Sequence, residues 1–116
     1  MATISKQLLS ASTDGDFIKI AATASAGTLI HQAVASATDI DEVWIYGTNT
    51  DASAVVITLE WSSTAVDDNL KVTINPNETV LIAPGIPIRN SLQIKGFATI
   101  ADKVNIFGYV NRIDVS

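Results

Sequence analysis

Ala54-Val55-Val56-Ile57-Thr58-Leu59-Glu60-Trp61 decides the reading of this chain. Side chains on an extended backbone alternate between two faces. Val55, Ile57, Leu59 and Trp61 therefore share one face, and Ala54, Val56, Thr58 and Glu60 the other. No helical stripe accommodates that order. The same alternation recurs downstream. Leu70, Val72 and Ile74 alternate with Lys71 and Thr73, and Leu92 and Ile94 with Gln93 and Lys95. Val104, Ile106, Gly108 and Val110 alternate with Asn105, Phe107, Tyr109 and Asn111. The predicted core is Val55, Ile57, Leu59, Leu70, Val72, Ile74, Leu92, Ile94, Val104 and Ile106.

Turn chemistry separates these runs. Gly47 to Ser53 and Ser62 to Asn69 are polar connections. Asn75-Pro76-Asn77 presets one turn. Pro84-Gly85 suits the central positions of a type II turn, closing a short strand from Thr79 to Ile82. Upstream, Ile18 and Ile20 alternate with Phe17 and Lys19 after the Asp14-Gly15-Asp16 turn, and Thr28 to Val34 is a further candidate strand. Ala21 to Ala26 reads as a loop. Thr3 to Leu9 reads as a short arm or as a strand added to a neighbour's sheet. No helical periodicity persists for ten residues. The pattern predicts an all-β fold: a single β-sandwich or jelly roll of seven to eight short antiparallel strands, residues 17–116, behind an N-terminal arm, residues 1–16.

Composition narrows the function. The chain has 116 residues, a size for one domain, and a net charge of −5. Its few basic residues are scattered, which argues against nucleic acid as a partner. No apolar stretch approaches the length of a membrane helix, and no secretory leader is recognisable, so no membrane partner is expected. Cysteine is absent, which excludes disulfides and thiolate metal sites. At 47% apolar and 16% charged, the chain carries more hydrophobic surface than one small core readily hides, and subunit interfaces take up such excess.

Two strands look apolar on both faces. Val43 and Ile45 oppose Trp44 and Tyr46, and Val104 and Ile106 oppose Phe107 and Tyr109. An antiparallel sandwich strand normally wets one face. Three covers are open: the chain's own loops or arm, a second copy, or a ligand resting on an aromatic platform. Trp44, Tyr46, Phe107 and Tyr109 are the candidate interface, of the residue types that dominate binding hot spots.

Catalytic signals are thin. His31 is the sole histidine. No glycine-flanked serine suggests a nucleophile for it, so it reads as a packed or interfacial side chain, and no enzyme activity is expected. The acidic groups Asp14-Asp16, Asp39-Asp41-Glu42 and Asp67-Asp68 lack the calcium-loop pattern and read as solvated loop tips. Asn77-Glu78-Thr79 matches a glycosylation sequon that nothing else supports. No metal or cofactor is expected.

One resemblance adds to this. Glu42-Val43-Trp44-Ile45-Tyr46-Gly47-Thr48-Asn49, Ile82-Ala83-Pro84-Gly85 and Asn105-Ile106-Phe107-Gly108-Tyr109-Val110-Asn111-Arg112-Ile113 give residues 40–113 the look of small virion proteins of tailed bacteriophages. The chain resembles their head decoration, or cement, proteins. That resemblance implies a structural virion protein on the outer capsid surface, made in the host cytoplasm. It also implies the major capsid protein as partner and a homotrimer as oligomer. A carbohydrate-binding or host-attachment module, with exposed Trp44, Tyr46 or Trp61 as its stacking platform, is the alternative.

Overall fold

The computed structural model describes residues 2–115. The described residues form nine strands: β1 (Thr3–Leu8), β2 (Ile18–Lys19), β3 (Thr28–Gln32), β4 (Ile40–Asn49), β5 (Val55–Trp61), β6 (Asn69–Ile74), β7 (Thr79–Ile88), β8 (Gln93–Ala98) and β9 (Val104–Asp114). A single 3-10 turn, Val66–Asp68, leads into β6. Two antiparallel sheets result. The first runs β1-β9-β4-β7, with β2 following β1 along the same edge of β9, and the second runs β3-β8-β5-β6. The fold is the expected antiparallel β-sandwich, with nine strands where seven to eight were expected. Residues 3–8, read as an arm or a strand for a neighbour, pair with the chain's own β9.

Alternation builds the interior. Val43 and Ile45 from β4 and Val104, Ile106 and Val110 from β9 point inward from the first sheet. Val55, Ile57 and Leu59 from β5, Ile74 from β6 and Ile94 from β8 meet them from the second. Gly47 lets the layers close: a Cβ there would lie 2.8 Å from Ile82 Cδ1 and 3.1 Å from Ile74 Cδ1. Ile20 and Leu9, outside any strand, complete the cluster.

The structure departs from the sequence reading at several points. Leu92 is 42% exposed, because β8 begins only at Gln93 and Leu92 belongs to the preceding turn. Leu70 and Val72 are half-buried, since β6 is an edge strand with a single neighbour. Pro84-Gly85 makes no turn. β7 continues through it to Ile88, and its register against β4 shifts beside Trp44, as at a β-bulge. Thr58 and Glu60, on the outward side of β5, are buried as well. The loop before β3 reaches across to Glu60, which accepts hydrogen bonds from Ser25 Oγ and, at 2.7 Å, from the Gly27 amide. The second sheet thus has part of its outer face covered by its own chain.

Leu59→Ala empties a fully buried position and should lower the unfolding free energy by about 2–5 kcal/mol. Leu92→Ala, at a turn, should change it by less than about 0.5 kcal/mol. Urea denaturation of the two variants checks both.

Candidate functional site: an uncovered aromatic face

The outer face of the first sheet follows from the register of three strands. The β4–β9 ladder places Trp44 opposite Tyr109 and Tyr46 opposite Phe107. β1 adds Leu8 beside Tyr109 and Lys6 beside Asn111. β7 adds Leu81 beside Tyr46 and Pro84 beside Trp44. The candidate residues Trp44, Tyr46, Phe107 and Tyr109 are therefore brought together as two adjacent rows. Of all the aromatic residues, only Trp61 and Phe97 lie elsewhere.

The rings pack on one another. Phe107 lies between Phe17, at 4.4 Å between centroids, and Tyr46, at 5.2 Å, with interplanar angles of 11° on both sides. Trp44 and Tyr109 stack at 6.1 Å and 13°. The Lys6 ammonium sits 4.6 Å above the Tyr109 ring, within cation–π range. Trp44 is fixed from three directions. Its indole Nε1 donates to Glu42 Oε1 at 2.8 Å, Tyr109 flanks the ring, and the backbone of Gly85 lies against it. A Cβ on Gly85 would approach Trp44 Cζ2 to 2.9 Å, and its φ of +73° is one that glycine adopts without strain. Glu42 also accepts from Asn111 Nδ2 at 3.1 Å. The Trp44 and Asn111 donors hold its carboxyl below the usual carboxylate range.

The four candidates are half-buried because they shield each other, while the border of the face is open. Ile4 is 66%, Phe17 55%, Leu8 52% and Leu81 44% exposed. No third layer of described residues lies across them, and β1 widens the face instead of covering it. Sequence reasoning missed Phe17, Leu8 and Leu81. Phe17 was legible through its alternation with Ile18. The other two needed the strand order.

This geometry limits the chemistry. The inner faces of the stack are shared between neighbouring rings, both faces of Phe107 among them, while Phe17 at its end is 55% exposed. Trp61 is half-buried away from this face, packed against the core, with its Nε1 donating to Pro87 O at 3.4 Å. What the face offers is ring edges, aliphatic tips and the cations of Lys6 and Lys19.

His31 lies at one end of the interior. Its Nε2 donates to Asp41 Oδ2 at 2.8 Å, and its Nδ1 accepts the Ser10 backbone N–H at 3.0 Å. Asp41 also accepts from Arg112 Nε at 2.7 Å and from the Val34 amide at 3.0 Å. The imidazole nitrogen that a nucleophile would use is thus taken by an amide, and the Ser10 hydroxyl accepts from Gln32 N instead. Asp41 corrects the loop-tip reading of the 39–42 acids: it is the second residue of β4 and is fully buried. Among the described residues no group of three or more His, Asp or Glu side chains is placed to hold a metal ion. A concavity of about 340 Å³ between the Ser62–Thr64 and Ser91–Gln93 loops reaches Glu60, but both Glu60 oxygens are already engaged.

Comparison with protein-family models, with curated proteins and with solved structures finds no match to this chain.

Gly85→Ala should displace the Trp44 indole and cost about 1–2 kcal/mol of stability through the left-handed backbone. A changed near-ultraviolet circular dichroism spectrum with an unchanged far-ultraviolet one is the expected signature.

Proposed function

We propose that this protein is a non-catalytic assembly module that docks through the outer face of its first sheet, in the manner of a virion decoration protein seated on a capsid shell. The observation that carries the reading is the self-stacked aromatic band, Phe17–Phe107–Tyr46 beside Trp44–Tyr109, left without a covering layer. Four strands about 4.8 Å apart and three or four side-chain rows give a face of about 400 Å². A stable one-to-one complex needs about 800 Å² on each partner. Such a face binds weakly alone and firmly where several copies engage at once, because the second contact forms at high effective concentration. A capsid lattice supplies that repetition, and binding across subunit boundaries opposes their separation.

A homotrimer is the proposed oligomer. The number three rests on the resemblance to decoration proteins and not on the sheet geometry. The proposed location is the capsid surface, with the major capsid protein as partner.

The test has two parts. Quantitative mass spectrometry of particles purified from the source should find the chain in stoichiometric amounts, and its absence from every particle would remove the virion reading. Phe17→Asp and Leu81→Asp alter exposed positions and should leave the thermal midpoint within a few degrees while abolishing particle binding. Unimpaired binding by both would move the docking site off this face. In sedimentation equilibrium at micromolar concentration, a species of 12.3 kDa would dismiss self-assembly, leaving the capsid alone as partner.

A further inference from the structure

We propose that His31 is an acid-sensitive latch for β1: protonation of its imidazole ejects the Ser10 amide, releases the stretch that ties β1 to the second sheet, and leaves the strand held by its β9 ladder alone, from which it opens more readily. The geometry gives Nδ1 an acceptor's role. In the neutral ring Nε2 carries the proton and donates to Asp41, so Nδ1 presents a lone pair to the Ser10 N–H. A proton added at Nδ1 sets two N–H groups against each other at 3.0 Å.

The surroundings oppose that proton. His31 is 1% exposed and Asp41 is fully buried. The charged groups facing the imidazole are Asp41 from β4 and, beyond it, Arg112 from β9. β8 meets it with Ile94, and the segment after β1 with backbone. Arg112 already balances Asp41, so an imidazolium would leave a surplus positive charge in the interior. Burial therefore pulls the His31 pKa below its ordinary value of 6.5, against the opposing pull of Asp41. The folded form with the latch closed refuses a proton that an opened form accepts. Latch stability is complete above pH 6.5 and declines as pH falls below it. Asp41, held below its ordinary 3.8 by Arg112 and His31 despite its burial, contributes a separate loss at lower pH.

β1 is the element that the latch controls. Its residues are exposed apart from a half-buried Gln7, and they pair only with β9. Its hold on the second sheet is the stretch that follows it, where Leu9 is buried, Ser10 is bound to His31 and Gln32, and the Ala11 amide donates to Ile30 O at 3.2 Å.

The test is amide hydrogen exchange by NMR on the full chain from pH 7.5 to 4.5, with the imidazole titrated in the same samples. As the sole histidine, His31 gives an unambiguous signal. Protection factors of the β1 amides should fall at least tenfold with the midpoint of the His31 titration, while those of β4 and β5 persist. Unchanged β1 protection through that titration overturns the proposal, as does loss of β4 and β5 protection at the same midpoint. His31→Asn and His31→Gln should each remove the step, whatever their overall stability. A step that survives in either variant also overturns it.

Discussion

The ladder between β4 and β9 is the constraint on which the rest of the sandwich depends. Its ten rungs join Ile40–Asn49 to residues 104–113. Every rung commits two side chains to the same face. Val43 with Val110 and Gly47 with Ile106 are driven into the interior, and Trp44 with Tyr109 and Tyr46 with Phe107 are driven out by the same backbone. The aromatic face is therefore no independent ornament. It is the reverse side of the rungs that make the core, and β1, β2 and β7 inherit their positions from the two edges of this pair.

The two sheets treat their outer faces differently. The second draws the loop before β3 across β5, anchored by Ser25 and Gly27 on Glu60. The first spends its remaining strands sideways, extending to β1 and β7. Its rings then have only each other to exclude water. Face-to-face stacking removes the broad ring surfaces from solvent and leaves edges exposed. That lowers the hydration penalty without removing it, and it sets the rings against one another before any partner arrives. Side chains that already pack on one another lose less entropy on docking than free ones would.

Much of this was legible in the sequence, and the failures share a cause. Alternation located β4, β5, β6, β8 and β9, and it put Trp44, Tyr46, Phe107 and Tyr109 on one side, because period two is a local property. It could not say where a strand begins, so Leu92 was assigned to the core although it precedes β8. It could not separate a turn from a bulge at Pro84-Gly85, since both accept the positive φ of that glycine. Asp41 looked like a solvated acid, and the partner that buries it lies 71 residues away. Leu8 and Leu81 joined the candidate face only when the strand order was known.

Asp41 also answers a problem that alternation leaves open. Sliding β4 along β9 by two residues keeps every side chain on its original face. The inward sides of both strands are mostly Val, Ile and Gly, and packing resists such a slip chiefly where a side chain would have to take the place of Gly47 or Gly108. The polar rung discriminates as well. In the observed register Asp41 stands opposite Arg112 and within reach of His31 and the Val34 amide. A two-residue slip would set Asp41 opposite Val110 or Asp114 and remove the guanidinium, leaving a carboxylate in the interior without its cation. Stranding a buried charge in this way costs about 3–5 kcal/mol, more than most single apolar contacts supply. The network contributes little to the hydrophobic core, but together with the close packing at Gly47 and Gly108 it favours the alignment in which Trp44 meets Tyr109 and Tyr46 meets Phe107. The buried acid near the start of β4 thereby helps to fix which aromatic rows the outer face presents.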